Sequence, residues 1–236
     1  NNFDDAIFDD DFLNSNVNYR TFFDTDAFIN YFICNELAKN IDAYRHSTFI
    51  HKENDSKKLK IGPVWDFNLG FGNANFFDGH TTSGLIGART LINGSDFIPN
   101  PWISKFLEDT ILVEEINTRW MDLRSDILSN DNLIQIVDSL TGELIEAQYR
   151  NFQKWRIMGK QVWPNYFVGS SYSEEVTFLK SWLINRANWL DNNITGAYLK
   201  LPNFQEFEAT IFPNPFTYFF TYAFTLQEES LVSLRL

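Results

Sequence analysis

The chain of 236 residues and 27.6 kDa has room for one large domain with a small appendage and excludes several full-sized domains. Hydrophobic residues make up 44% and aromatics 17%, with 24 Phe and 7 Trp, so there is material for a packed core and a wholly disordered chain is excluded. Against 31 Asp and Glu stand 19 Lys and Arg, a net charge of −12 whose sign is wrong for wrapping nucleic-acid phosphates and suits solubility or cation coordination.

Cys34 is the single cysteine, which excludes an intramolecular disulfide and argues against a Cys-based zinc site. Following Tyr31-Phe32-Ile33, it reads as a small core residue rather than a nucleophile. No apolar run reaches the ~18–20 residues of a membrane span, so no transmembrane segment is expected. The chain opens on Asn-Asn-Phe-Asp-Asp and reads as a fragment; the lack of a leader therefore says nothing about secretion.

Residues 1–23 are acidic, with Asp4-Asp5 and Asp9-Asp10-Asp11 between scattered Phe, and read as a solvated, irregular edge because the spacing of a calcium loop is missing. Asp24-Thr25-Asp26 supplies capping chemistry to a helix whose Phe28, Tyr31, Phe32 and Leu37 recur at helical spacing, as far as about Lys39. Ser47 to His51 then reads as a strand, Glu53 to Ser56 as a turn, and Leu59, Ile61 and Val64 as a second strand, which together make a β-hairpin. The glycine-bearing stretch from Asn73 to Ile98 is too long for a simple connection and reads as functional or mobile.

Beyond it the pattern turns helical. Pro101 opens a segment with Trp102, Phe106 and Leu107; Ile111 to Leu128 carries Val113, Ile116, Trp120, Leu123 and Ile127; and Ser129-Asn130-Asp131 caps one long helix over about 133–155. Ser173, Glu174 and Glu175 open a last helix containing Trp182, Leu183, Trp189 and Leu190. The Trp and Phe stripes read as core. After Pro202 the texture becomes β-type, with Ile211-Phe212-Pro213-Asn214-Pro215-Phe216 and alternation at Tyr222, Phe224 and Leu226, in a unit too short to fold alone.

A hairpin brings the loops at its open end together, so Asp42, before the first strand, and Asp66, after the second, can face one pocket. Phosphoryl transfer uses such a pair: one carboxylate orients the attacking hydroxyl and the other holds a metal that neutralises the nucleotide phosphates. Gly70 and Gly72 let the backbone bend away after the second carboxylate. The structural alternative is that Asp42 caps a turn and Asp66 pairs with Arg45 or Lys60. His46, His51 and His80 lack the HExxH spacing of a metalloprotease, and no G-x-S-x-G elbow supports a serine hydrolase.

The stretches N-E-L-A-K-N-I-D-A-Y-R-H-S-T-F at 35–49 and G-P-V-W-D-F-N-L-G-F-G-N at 62–73, with Arg119-Trp120, Leu123-Arg124 and Arg186-Ala187-Asn188-Trp189-Leu190-Asp191 later, resemble the CotH family of kinase-like proteins. The resemblance runs from about 20 to 195. It implies an α+β fold, mainly an α-helical kinase-like C-lobe with a catalytic β-hairpin, and ATP- and magnesium- or other divalent-cation-dependent phosphorylation of a protein substrate at the cell surface. It implies Asp42 as the catalytic aspartate and Asp66 as the principal metal ligand. Asn68 stands where many relatives have a second Asp, and Ser47 has the spacing of the metal-binding Asn of conventional kinases; both are candidate metal ligands without charge. Family members carry an N-terminal lobe for which only about twenty irregular residues remain here. A non-catalytic, pseudokinase-like module binding a surface protein or glycan is the alternative.

The tail resembles the beginning of the C-terminal sorting domain of the type IX secretion system of Bacteroidetes-type bacteria. The expected organisation is therefore a CotH kinase-like domain over 1–199 and an incomplete β-rich sorting domain over 200–236. That resemblance implies a secreted or outer-surface protein that meets the secretion machinery.

Overall fold

A computed structural model describes residues 2–9, 12–13, 18–87, 101–194, 210–212 and 221–223, and the chain divides into two compact units, Asn1–Lys200 and Leu201–Leu236. The first unit is mainly helical. It contains α1 (Asn2–Ile7), a 3-10 turn (Tyr19–Thr21), α2 (Thr25–Ala38), the strands β1 (Ile50–His51) and β2 (Lys60–Ile61), and then α3 (Pro101–Glu108), α4 (Thr110–Arg124), α5 (Asn130–Glu143), α6 (Ile145–Lys154) and α7 (Tyr172–Asn193). In the second unit β3 (Thr210–Phe212) and β4 (Thr221–Ala223) pair antiparallel. The Pro213-Asn214-Pro215-Phe216 stretch and Phe224 to Leu234 lie outside the described residues.

The central element is α2. Asp24 caps it through Oδ1, which accepts from Ala27 N at 3.0 Å, and Lys39 ends it in the left-handed region at φ 46°. Phe28, Ile29, Tyr31, Phe32, Ile33, Asn35, Glu36, Leu37 and Ala38 are all buried, because β2, α4 and α7 pack around it. Cys34 falls on the remaining outer strip and is exposed, so it is not the core residue that its neighbours suggest. At 100° per residue, a side chain's neighbours in sequence do not share its face.

The described residues among 1–23 are not the irregular solvated edge that their charge implies. Phe3 and Ile7 of α1 are buried, and Asp4 Oδ1 accepts from Trp102 Nε1 at 3.0 Å. Phe3, Tyr19, Phe23 and Phe28 cluster about Phe106, whose ring centroid lies 4.8 Å from those of Phe23 and Phe28 and 5.2 Å from that of Tyr19. Full burial of such side chains contributes about 1.5–3 kcal/mol each, which outweighs the local acidity.

The helical boundaries also shift. Asp109 caps α4, and Arg124 ends it, leaving Ile127 exposed in the following turn. The single helix expected over 133–155 is two, broken at Leu144 (φ −90°, ψ −2°), two residues beyond Gly142, a poor helix former. The cap of α7 is Ser171, two residues earlier than expected, its hydroxyl accepting from Glu174 N at 3.3 Å.

Candidate functional site

The hairpin is shorter than its sequence pattern. Ser47 has φ 49°, so the first strand begins only at Ile50; the second ends at Ile61, because after a last cross-strand bond from Gly62 (φ 136°) Pro63, which lacks an N–H, leaves the ladder before Val64. Ile50 pairs with Ile61 and His51 with Lys60. Leu59 also bonds to the chain entering α2, with Leu59 N to Phe22 O at 2.7 Å and Asp24 N to Leu59 O at 2.8 Å. The hairpin thereby hangs from the start of α2.

At the open end the two flanking loops are bonded together. Ser47 Oγ donates to Asp66 Oδ2 at 2.9 Å, Trp65 Nε1 donates to Ser47 O at 2.9 Å, and Gly62 N donates to Phe49 O at 2.9 Å. Asp66 sits in the left-handed region at φ 62° and is exposed. Sparsely populated backbone of this kind persists only where surrounding contacts hold it, and it recurs at functional sites. Asn68 is exposed, and its carbonyl accepts from Asn73 Nδ2 at 2.8 Å.

Asp42 lies in the turn after α2. Its carbonyl accepts from His46 N at 2.9 Å, its own N–H donates to Asn40 Oδ1 at 3.3 Å, and its side chain, 22% exposed, is 3.4 Å from Arg45 Nη2. The partners named by the structural alternative are thus differently engaged: Arg45 pairs with Asp42 rather than Asp66, and Lys60 with Glu53 and Asp24.

Beneath this turn lies a charged knot that pattern reading did not single out. Glu36 and Arg186 are fully buried and 3.2 Å apart. Glu36 Oε1 accepts from Tyr44 Oη at 3.2 Å and Gly87 N at 2.7 Å, and Oε2 from Ile86 N at 2.9 Å. One carboxylate therefore links α2, the Asp42 turn, the glycine-bearing loop and α7. Burial pushes the Glu36 carboxyl up, against the Arg186 charge and the two amides that pull it down.

Arg186 also donates to Glu36 O, Thr82 O and Gly84 O, and Lys39 Nζ donates to Asp78 O at 2.7 Å and Ser83 O at 2.6 Å. The 73–87 loop, expected to be functional or mobile, is stapled to the body by two buried cations; residues 88–98 lie outside the described residues. The available signal was a charge on an apolar stripe, since Arg186 follows Leu183 by three positions and precedes Leu190 by four.

Whether these residues suit a divalent cation turns on their chemistry. Among the described residues no group of three or more His, Cys, Asp and Glu could hold a metal ion. Magnesium nonetheless binds commonly through one or two carboxylates plus substrate phosphates and water, and Asp66 with the Ser47 hydroxyl beside it is compatible with that mode.

The body is mainly helical, and a small two-stranded hairpin carries the candidate residues Ser47 and Asp66 at its open end. The family model described as CotH kinase protein matches residues 9–190, and the chain belongs to that family. Comparison with curated proteins and with solved structures gave no match.

Proposed function

We propose that the chain is the C-lobe portion of an atypical protein kinase that transfers phosphate from ATP to protein hydroxyls with a divalent metal. The reading is carried by the bonded pair of Ser47 and Asp66 at the hairpin's open end, in a chain of the CotH kinase family. Asp66 would hold the cation, with Ser47 and Asn68 as neutral oxygen donors, and the metal would neutralise charge on the phosphates. Asp42, in the turn after α2, would orient the acceptor hydroxyl, with Arg45 steadying its carboxylate.

The test is a pair of substitutions in the full-length protein. Asp66→Asn removes the charge that holds the metal, so calorimetry should show magnesium-ATP affinity reduced about tenfold or more. Asp42→Ala should lower turnover by about a hundredfold or more while ATP affinity stays nearly unchanged. Equal magnesium-ATP affinity in Asp66→Asn removes that ligand, and unaltered turnover in Asp42→Ala removes that group from the mechanism.

One observation favours a second reading. Ser47 donates its hydroxyl into Asp66 and Asn68 is uncharged, a weak donor set that suits a non-catalytic module binding a surface protein or glycan. Nucleotide binding without transfer to any acceptor would select it. For residues 200–236 we propose an export role, as the start of a type IX sorting domain on a secreted or outer-surface protein, supported by the change to β-type sequence and the β3–β4 pair.

A further inference from the structure

The hairpin is a basic exception on an acidic chain. Between His51 and Lys60 stand Lys52, Lys57, Lys58 and Lys60 against only Glu53 and Asp55, in a protein of net charge −12. Lys60 is occupied, 3.2 Å from Glu53 Oε1 and 4.0 Å from Asp24 Oδ2. Lys52, Lys57 and Lys58 are exposed and form no ion pair among the described residues.

The tip that presents them is an ordered turn. Asn54 Oδ1 accepts from Ser56 N at 3.0 Å and from Ser56 Oγ at 2.7 Å, and Asn54 O accepts from Lys57 N at 3.1 Å. Lys52 follows β1 directly. It lies five positions after Ser47, so its Cα is within about 18 Å of that of Ser47 even along a fully extended chain. The same hairpin therefore carries the candidate site at its open end and the unpaired ammonium groups at its tip.

We propose that this tip is a docking surface for an acidic segment of the protein that supplies the acceptor hydroxyl. The proposal deepens the phosphoryl-transfer reading and rests on it for the role of the site. Charge complementarity selects the occupant: an acidic segment is repelled by a chain that is negative overall and attracted where three cations stand together without partners. Exposed pairs are individually weak, so affinity arises only when several lysines engage one segment, and it falls with salt. A segment anchored at the tip has the reach to lay a nearby hydroxyl at Asp66.

The experiment is fluorescence anisotropy on the full chain with a labelled Glu-rich peptide bearing one central Ser, beside versions with Gln or Lys in place of Glu. Wild type should bind the Glu peptide best and lose affinity as sodium chloride rises. K52E/K57E/K58E should lose about tenfold or more in that affinity, with magnesium-ATP affinity and melting temperature unchanged. K57Q/K58Q, which adds no repulsion, should lose a smaller part.

Equal binding of the Glu and Gln peptides, preference for the Lys peptide, or undiminished affinity in both variants would overturn the proposal. So would a parallel loss of magnesium-ATP affinity, which would assign the lysines to the nucleotide. Binding to phosphatidylserine vesicles in place of the Glu peptide would assign the tip to a membrane surface and overturn it as well. Because anisotropy reads binding without turnover, binding of the acidic peptide by this chain together with no phosphate transfer by the full-length protein refutes the kinase reading and leaves the docking surface standing.

Discussion

Single charged side chains hold this molecule together where helices meet. Asp109 shows how. Its Oδ1 caps α4 by accepting from Ile111 N at 2.9 Å and Leu112 N at 3.2 Å, while Oδ2 accepts from Tyr19 Oη at 2.6 Å and Arg20 Nη2 at 2.8 Å. Burial by itself would raise the Asp109 carboxyl, but the hydrogen bonds from Tyr19 and Arg20 and the guanidinium charge outweigh it and hold the carboxyl below its usual range. A carboxyl held low when folded and near about 3.9 when unfolded contributes stability above the unfolded value, and that contribution disappears as pH falls through the folded one. Asp109→Asn keeps one acceptor oxygen for the α4 cap but loses the charge and sets an NH2 donor against Tyr19 Oη and Arg20. It should cost about 2 kcal/mol near neutral pH, and the gap to wild type should narrow as pH drops below about 4. Thermal melts across that range check it; a gap independent of pH would mean that the cap geometry, not the charge, is what Asp109 supplies.

At the scale of elements, the segment after the hairpin is shaped by close approach. Gly70 lies where a Cβ would come 3.1 Å from Ala38 O, and Phe71 N donates to that carbonyl at 2.6 Å. Gly72 has φ 77° and a Cβ there would stand 2.5 Å from the Trp182 ring. These glycines do let the chain bend after Asp66, but the bend matters because it lays the loop against α2 and α7. Gly72→Ala combines left-handed strain with overpacking and should destabilise by about 3 kcal/mol or more, whereas Gly159→Ala, at φ 70° with open space around it, should cost only about 1–2 kcal/mol. Denaturant unfolding of both variants separates the two effects. Equal losses would show that Trp182 yields freely and that the contact is not what requires glycine.

Over the whole molecule, Asn1–Lys200 and Leu201–Leu236 are distinct compact units, so the helical unit should stand without the tail. Truncation after Lys200 should leave its melting temperature within about 5 °C, since a linker carries few stabilising contacts. In the native host the same deletion from the complete gene should trap the protein before export. A large fall in melting temperature would place the strands in the main core, and unimpaired surface delivery would remove the sorting role.

The sequence by itself determined what is local. Asp24 and Ser129 cap α2 and α5 because a short side-chain oxygen reaches an amide two or three residues on, whatever the tertiary setting. The hairpin's place between α2 and Asp66 followed from polar turn residues between apolar runs, and the Asp42 and Asp66 candidates followed from that placement. Only the tertiary structure decided which apolar and charged residues are inside. The burial of Phe3 and the exposure of Cys34 and Ile127 depend on which faces meet, a contact between distant segments that no local period encodes. The bond from Ser47 to Asp66 spans 19 positions and the Glu36–Arg186 pair spans 150. A buried charge is tolerable only when its partner arrives from elsewhere in the chain, so such pairs become legible only once the helices are packed.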